Sequence, residues 1–250
     1  MAEVYYDLHI HTSLSPCADN DMTPNDIVSM AVLNKLDIIA ITDHNSMANV
    51  ESVIKASNGR GVTVLPGAEI ETAEEVHVLC IFATLEDAFA FDEYMSPRYA
   101  SFKNRKDIFG EQLLYNERDE VIGEVERMLL AATAVSFDEL FAKVNEFGGA
   151  FIPAHINRSS NSVLSNLGFF PDYLDITAVE ISQAGYGENL SQSDNAMILK
   201  QKEVVRGMHR LTSSDAHHIW DIAEREVHNT LTLPEKSASA LLAYLKHRAY

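Results

Sequence analysis

Basic residues are scarce in this chain: 19 Lys and Arg stand against 37 Asp and Glu, for a formal charge of −18. Such a surface favours solubility and opposes loose attraction to DNA, RNA or anionic lipid, so we expect neither a nucleic-acid partner nor a membrane partner. A bound cluster of divalent cations would neutralise part of the acidity. Cysteine is nearly absent: Cys17 and Cys80 are the 2 present, too few for a disulfide framework. A reducing cytoplasm is the expected location. No apolar run reaches the roughly 18 residues of a membrane span. The N-terminal Met-Ala-Glu-Val-Tyr-Tyr-Asp has neither the basic region nor the apolar region of a secretory signal. Internal repeats and low-complexity linkers are also missing. What remains is a chain of 250 residues with an ordinary apolar content of 46%, long enough for one large α/β domain or two small ones.

The residues alternate between strand-like and helix-like stretches. Tyr5 to His11 reads as a short strand, because Tyr5, Tyr6, Leu8 and Ile10 suit a pleated, half-buried surface. Thr23-Pro24-Asn25-Asp26 reads as a helix start, with Thr23 as cap and Pro24 in the first turn. Ile38-Ile39-Ala40-Ile41 is a continuous apolar run, as in a parallel strand buried on both faces. Asn45 and Ser46 can start the next helix, and Asn58-Gly59 can stop it. Val62–Leu65, Val76–Phe82, Ala150–Ile152, Val179–Ile181 and Val227–Leu233 are further strands. Ser136-Phe137-Asp138-Glu139 opens a helix as a capping box. A polar helix follows Ile181 to about Lys202, and an amphipathic helix closes the chain from Ser237. This alternation predicts βαβ units, roughly seven of them, and a barrel of TIM type one strand short. Phe89 to Thr133 breaks the alternation and reads as an insertion over the site, with a hairpin near Asn116-Glu117-Arg118-Asp119.

Residues that can ligate metals gather at the strand ends. His9 and His11 are two apart in a strand, so their imidazoles project the same way and form a bidentate clamp. His44 follows the Ile38–Thr42 strand, Glu69 follows Val62–Leu65, and His155 follows Ile152-Pro153. Asp215 and His217 follow Leu211–Ser214. In a barrel the C-terminal strand ends converge on one face, where active sites sit. His77 is the exception. It stands at the start of its strand, so either the preceding turn or an antiparallel arrangement must present it.

Asp-Leu-His-Ile-His at the first strand, Ile-Thr-Asp-His at 41–44 and Gly-Ala-Glu at 67–69 are followed by Pro-Ala-His at 153–155 and Ser-Asp-Ala-His at 214–217. In this order the motifs resemble those of the PHP superfamily, named for polymerase and histidinol phosphatase. The resemblance runs from residue 5 to about 230. It implies a single PHP domain folded as a distorted (β/α)7 barrel, with two or three divalent metal ions at the C-terminal mouth. It also implies a ligand set. His9, His11, Glu69 and Asp215 would hold the first ion. Glu69 would bridge to a second, shared with His77 and His155. Asp19, His44 and His217 would hold a third. Asp21 or Cys17 could take the place of Asp19, and without any of the three the centre is binuclear.

Mixed imidazole and carboxylate ligands suit Zn, Mn or Fe without choosing among them. Two such ions activate a water and clamp the attacking and leaving oxygens of a phosphoester. The expected function is therefore metal-dependent hydrolysis of a small phosphorylated substrate, a phosphomonoester or a nucleotide, by a hydroxide held on the metals. A 3′–5′ exonuclease and a non-catalytic metal-binding module are the alternatives. Asp43 or His218 could supply the leaving group's proton. Asp43 could instead orient a ligand histidine, and His218 could instead be a helix-start residue. Arg158 could grip phosphate or stand in a surface ion pair. Lys103, Arg105 and Lys106 read as a solvated charged loop, and Ser159 to Ser162 as a polar one.

Overall fold

A computed structural model describes residues 1–182 and 205–248. The polar helix expected to reach about Lys202 lies outside the described residues. Three strands, β1 (Ala2–Ile10), β2 (Ile38–Ile41) and β3 (Thr63–Glu71), lie side by side and run parallel. Helices α1 (Pro24–Leu33) and α2 (Val50–Ser57) connect them. Thr23 caps α1, its side chain accepting the Asp26 N–H. Helix α2 begins at Val50 rather than at Asn45–Ser46. Asn45 is unsuited to a helix start here: its φ is 47°, and its amide donates to the carbonyls of Leu129 and Ala131.

β3 is longer than the Val62–Leu65 run. It pairs with β2 as far as Pro66 and with β4 (His77–Ile81) from Gly67 onward, so Glu69 lies inside the strand. β4 runs antiparallel to β3 and joins it through a tight turn rather than a helix, with Glu71 opposite His77. This reversal carries the start of β4 to the end of the barrel where the other strands finish, which is how His77 is presented.

After α3 (Leu85–Met95), the chain forms a short helix α4 (Lys106–Phe109) and a hairpin of β5 (Leu113–Tyr115) and β6 (Val121–Glu124). This segment lies across the loops that follow β1 and β2. Leu113 N–H donates to Ser13 O at 3.1 Å, and Asn49 ties to both Leu113 and Tyr115. Helix α5 (Phe137–Glu146) precedes β7 (Ala150–Pro153), which pairs antiparallel with β4 and so runs with β1 to β3. Beyond the short α6 (Val163–Asn166), β8 (Ala178–Glu180) and β9 (His209–Leu211) form a parallel pair. The pair joins β7 through Ile156 N–H to Glu180 O at 3.0 Å, and the segment after β9 joins β1 through His11 N–H to Ala216 O at 3.0 Å. β10 (Thr230–Leu233) adds antiparallel to the opposite edge of β1, and α7 (Ala238–Leu245) ends the described chain. The result is the mixed α/β, curled, TIM-like wall that the sequence predicts. It departs from seven uniform β/α units at the β3–β4 turn.

Alternation sorts the core. Leu8, Ile38, Ala40, Leu65, Leu79 and Leu211 fill one cluster with Leu241 and Leu245 of α7. Ile10, Ile39, Ile41, Val64 and Val78 pack in the other with α1, α2 and α5. Leu8 and Ile10, two apart, fall in different clusters because β1 carries an extra residue. Asp7 pairs with Ile39, but Ile10 pairs with Ile41. That bulge turns His9 and His11 to the mouth, a common use of bulges beside active sites.

Gly67 sits where three strands crowd together. A Cβ there would lie 2.9 Å from Cys80 O and 3.3 Å from Ile41 O, both backbone atoms that cannot swing aside. Gly67→Ala is therefore expected to destabilise by about 1–3 kcal/mol through overpacking, read as a fall in Tm of about 2–4 °C per kcal/mol in a thermal melt. A variant as stable as the wild type would show that the strands separate freely at this point.

Candidate metal centre

The mouth of the wall is organised around one carboxylate. Glu69 is buried and has five imidazoles around it: His77 Nδ1 at 2.8 Å, His44 Nδ1 at 3.0 Å, His155 Nε2 at 3.1 Å, His9 Nε2 at 3.4 Å and His11 Nε2 at 3.5 Å. Asp215 Oδ1 is 3.1 Å from both His9 Nε2 and His11 Nε2. The ligating atoms fall into three overlapping groups, each within 4.8 Å: His9, His11, Glu69 and Asp215; His44, Glu69 and His77; and His11, His44 and His217. His155 and Asp215 adopt positive φ, 29° and 54°. Residues with a Cβ avoid this region, and such strain collects at functional sites.

Outer partners fix the rings. Glu180 receives His9 Nδ1 at 3.0 Å and the His155 N–H at 2.9 Å. Ser15 Oγ donates to Asp43 Oδ1 at 2.7 Å and lies 3.0 Å from His11 Nδ1, so it accepts from that ring. Asp43 is fully buried and also takes the Thr12 N–H and hydroxyl. It therefore acts on His11 through Ser15 and does not face the open mouth. Burial pushes its carboxyl up to about 6, against the bonds from Ser15 and Thr12. Asn161 holds His77 Nε2 at 3.1 Å.

This arrangement tests whether a cation fits. With Nδ1–H of His9 given to Glu180 and Nδ1–H of His11 given to Ser15, each neutral ring turns a bare Nε2 lone pair inward. Those lone pairs stand 3.2 Å apart and face carboxylate oxygens. Acceptors facing acceptors in a buried site need positive charge between them. Glu69 Oε2 is buried without an acceptable hydrogen bond, although His44 is near. Proton affinities reflect the same demand. Burial alone would lower the His9 pKa, but Asp215, Glu180 and Glu69 raise it well above the usual value. His11 is held well below it by burial and by His217 and His44. The donor set fits divalent metal.

The structure thus brings together His9, His11, His44, Glu69, His77, His155, Asp215 and His217. Asp19 is not in any of the groups. It is half-exposed and its Oδ2 lies 2.6 Å from His218 Nδ1. Asp21 and Cys17 are exposed. Arg158 reaches the mouth, with Nη1 2.6 Å from Asp215 Oδ2 and 44% of its side chain exposed. Lys103, Arg105 and Lys106 pair with Glu126, Asp107 and Glu124 of their own segment. Sequence reasoning missed Glu180, Ser15 and Asn161. The signal for Glu180 was a lone acid in the apolar run Val179-Glu180-Ile181; the other two left none.

The sequence matches the PHP domain family model over residues 7–165. A 5′-3′ exoribonuclease Rnm of Salmonella typhimurium is 36% identical over 80 residues, covering 31% of this chain and 26% of that protein. In structure, the endonuclease Q of Pyrococcus furiosus superposes with a TM-score of 0.68 at 19% identity, covering 98% of this chain and 56% of that one. An endonuclease Q complex with a 27-mer duplex substrate bearing an abasic lesion at the active site gives 0.69 at 19% identity, over 98% and 57%. The chain thus spans little more than half of endonuclease Q, and its match spans about a quarter of the exoribonuclease. These relatives, named for nucleic-acid substrates, overturn the expectation that nucleic acid is an unlikely partner. Net charge sums the whole surface, whereas a strand contacts only the field at the mouth, which bound cations and Arg158 would set. With well over half its length matched by the family model, the chain belongs to the PHP domain family.

Proposed function

We propose that this protein is a metal-dependent phosphoesterase that cleaves phosphodiester bonds of nucleic acid at the mouth formed by Glu69 and its imidazoles. The observation that carries the reading is the converged, hydrogen-poor donor set of His9, His11, Glu69 and Asp215. Two or three divalent ions, of Zn, Mn or Fe, suit these ligands. His9, His11, Glu69 and Asp215 would hold one, and Glu69 with His77 and His155 would hold a second. His11, His44 and His217 form the third pocket, and Asp19 has no place in it. When bound, the ions supply an activated water and the positive charge that stabilises the phosphoryl oxygens.

The chain's own residues do the rest. Glu180 and the Asp43–Ser15 pair hold His9 and His11 with Nε2 inward, which fixes tautomer and ring angle. Arg158 offers an exposed guanidinium beside Asp215 for a non-bridging phosphate oxygen. His218, oriented by Asp19, is placed to move a proton at the leaving oxygen. The relatives' names favour a 5′ end over the 3′–5′ direction. A non-catalytic module has little support, since eight of the expected ligands converge. The two cysteines are unpaired, which suits a cytoplasmic site of action, and among the described residues no helix is long and apolar enough to cross a membrane.

Purified protein with Mn²⁺, Zn²⁺ or Fe²⁺ is expected to hydrolyse 5′-phosphorylated single-stranded RNA or DNA. His9→Ala should lower the rate by about a hundredfold or more, as loss of a ligand from a two-metal site implies. Metal-replete protein that cleaves no RNA or DNA with any of the three ions would end this reading.

Metal should also stabilise the fold, because it binds the native state far better than the unfolded chain. Titrating Mn²⁺ into chelator-treated protein is expected to raise the Tm. Glu180→Gln should shift that titration to about 10–100-fold higher metal, without removing any direct ligand. An unchanged titration would show that Glu180 does not support the site.

A further inference from the structure

Ile219–Asp221 forms a single tight turn just past the metal-binding loop. Its centre is Trp220, the only tryptophan of the sequence, with 68% of its surface exposed. A lone exposed aromatic is ordinary in itself. This one is held. Its ring lies parallel to His218, at an interplanar angle of 4° and a centroid distance of 5.0 Å. His218 is pinned in turn by Asp19 at 2.6 Å. The turn is closed by Asp221 N–H to His218 O at 2.9 Å, and Ile219 packs into the core on the inward side. The indole is therefore stacked on one side and presented to solvent on the other. The turn follows His217, whose ring is 4.3 Å from that of His11, by way of His218.

We propose that Trp220, backed by His218, is a stacking platform for a nucleobase flanking the phosphate that enters the metal centre. The inference rests on the nucleic-acid reading above and makes it more specific. Every base has a π-face, so a single indole grips a strand without choosing its sequence. A preset ring loses little freedom on binding, so more of the stacking shows as affinity. The platform also answers the acidity of the chain: base stacking holds a strand without a track of basic residues. Asp19 takes a role here as well, as the group that fixes the orientation of His218.

The test uses a single-stranded RNA hexamer with a 5′-phosphate and phosphorothioate linkages, which slow hydrolysis, and the same hexamer with an abasic residue at its 5′ end. Because Trp220 is the sole tryptophan, its fluorescence reports this site alone. The intact hexamer is expected to quench it and the abasic one to quench it far less. In fluorescence anisotropy with a labelled hexamer, Trp220→Ala should bind about tenfold more weakly, and Trp220→Phe should recover most of the loss. On the ordinary phosphodiester hexamer KM should rise and kcat should change little. The abasic hexamer should bind all three proteins alike. Equal quenching by both hexamers, or unchanged affinity in Trp220→Ala, overturns the platform. Quenching and stacking-dependent binding without any hydrolysis would keep the platform and remove the phosphodiesterase reading. Hydrolysis with neither effect would do the reverse, and no binding at all would remove both.

Discussion

A buried carboxylate ringed by imidazoles is the constraint on which this structure turns. Glu69 stands within 3.5 Å of five histidine rings drawn from three strand ends and one reversed strand. Burial opposes its ionisation, yet the charges of His77, His9 and His44 hold its pKa well below the usual range. Neutral imidazoles have one N–H each, and the outer partners of His9 and His11 already take theirs. The cluster therefore needs positive charge inside it, from protons on rings such as His9 or from a bound cation, and much of the local backbone serves that end. The bulge in β1 aims His9 and His11 inward, β4 runs backward to deliver His77, and His155 and Asp215 accept positive φ.

The strand ends were legible in the sequence because apolar runs and single histidines sit at fixed offsets, and eight of the nine expected ligands do converge. The route by which they converge was not legible. Strict alternation implies that the even positions of β1 share a face and leaves His9 on the other side from Leu8; an inserted residue changes facing partway, and nothing in Tyr-Tyr-Asp-Leu-His-Ile-His marks where. In the sequence the strand-like run Val62–Leu65 stops before Pro66 and Gly67. They instead mark the point where β3 passes from a parallel partner to an antiparallel one, and Gly67 is small because three backbones meet there. Asp19 was placed by motif alone. In the folded chain its carboxylate belongs to His218, a pairing between positions nearly two hundred residues apart that no local pattern encodes.

Behind the ligands lies a layer of acids that never face the mouth. Asp43 holds Thr12 and Ser15. Glu180 holds His9 and His155. Asp7 takes the backbone N–H groups of Ser214 and Ala223, so β1 is stitched to the loop that carries Asp215 and His217. Burial raises the Asp7 pKa against those same hydrogen bonds. Each acid gathers several donors from distant segments, which low-dielectric surroundings make strong. The geometry of the inner cluster is thus set partly by motif acids that face away from the mouth, Asp7 and Asp43, and partly by Glu180, which no motif names.

The net charge of −18 pointed away from nucleic acid, and the physical reason for the error lies in where the charge resides. Counterion release rewards cations in contact with phosphates, not the sum over a whole surface. The basic side chains of Lys103, Arg105 and Lys106 are paired with acids of their own segment, so that segment presents little net positive charge. At the mouth, negative charge is concentrated on Glu69 and Asp215, where it recruits cations rather than repelling phosphate. On the reading proposed above, cutting one bond near a strand end needs few contacts: a guanidinium, a charged centre and a surface for a base. An acidic exterior would then weaken nonspecific adhesion along the polymer while leaving that short grip intact.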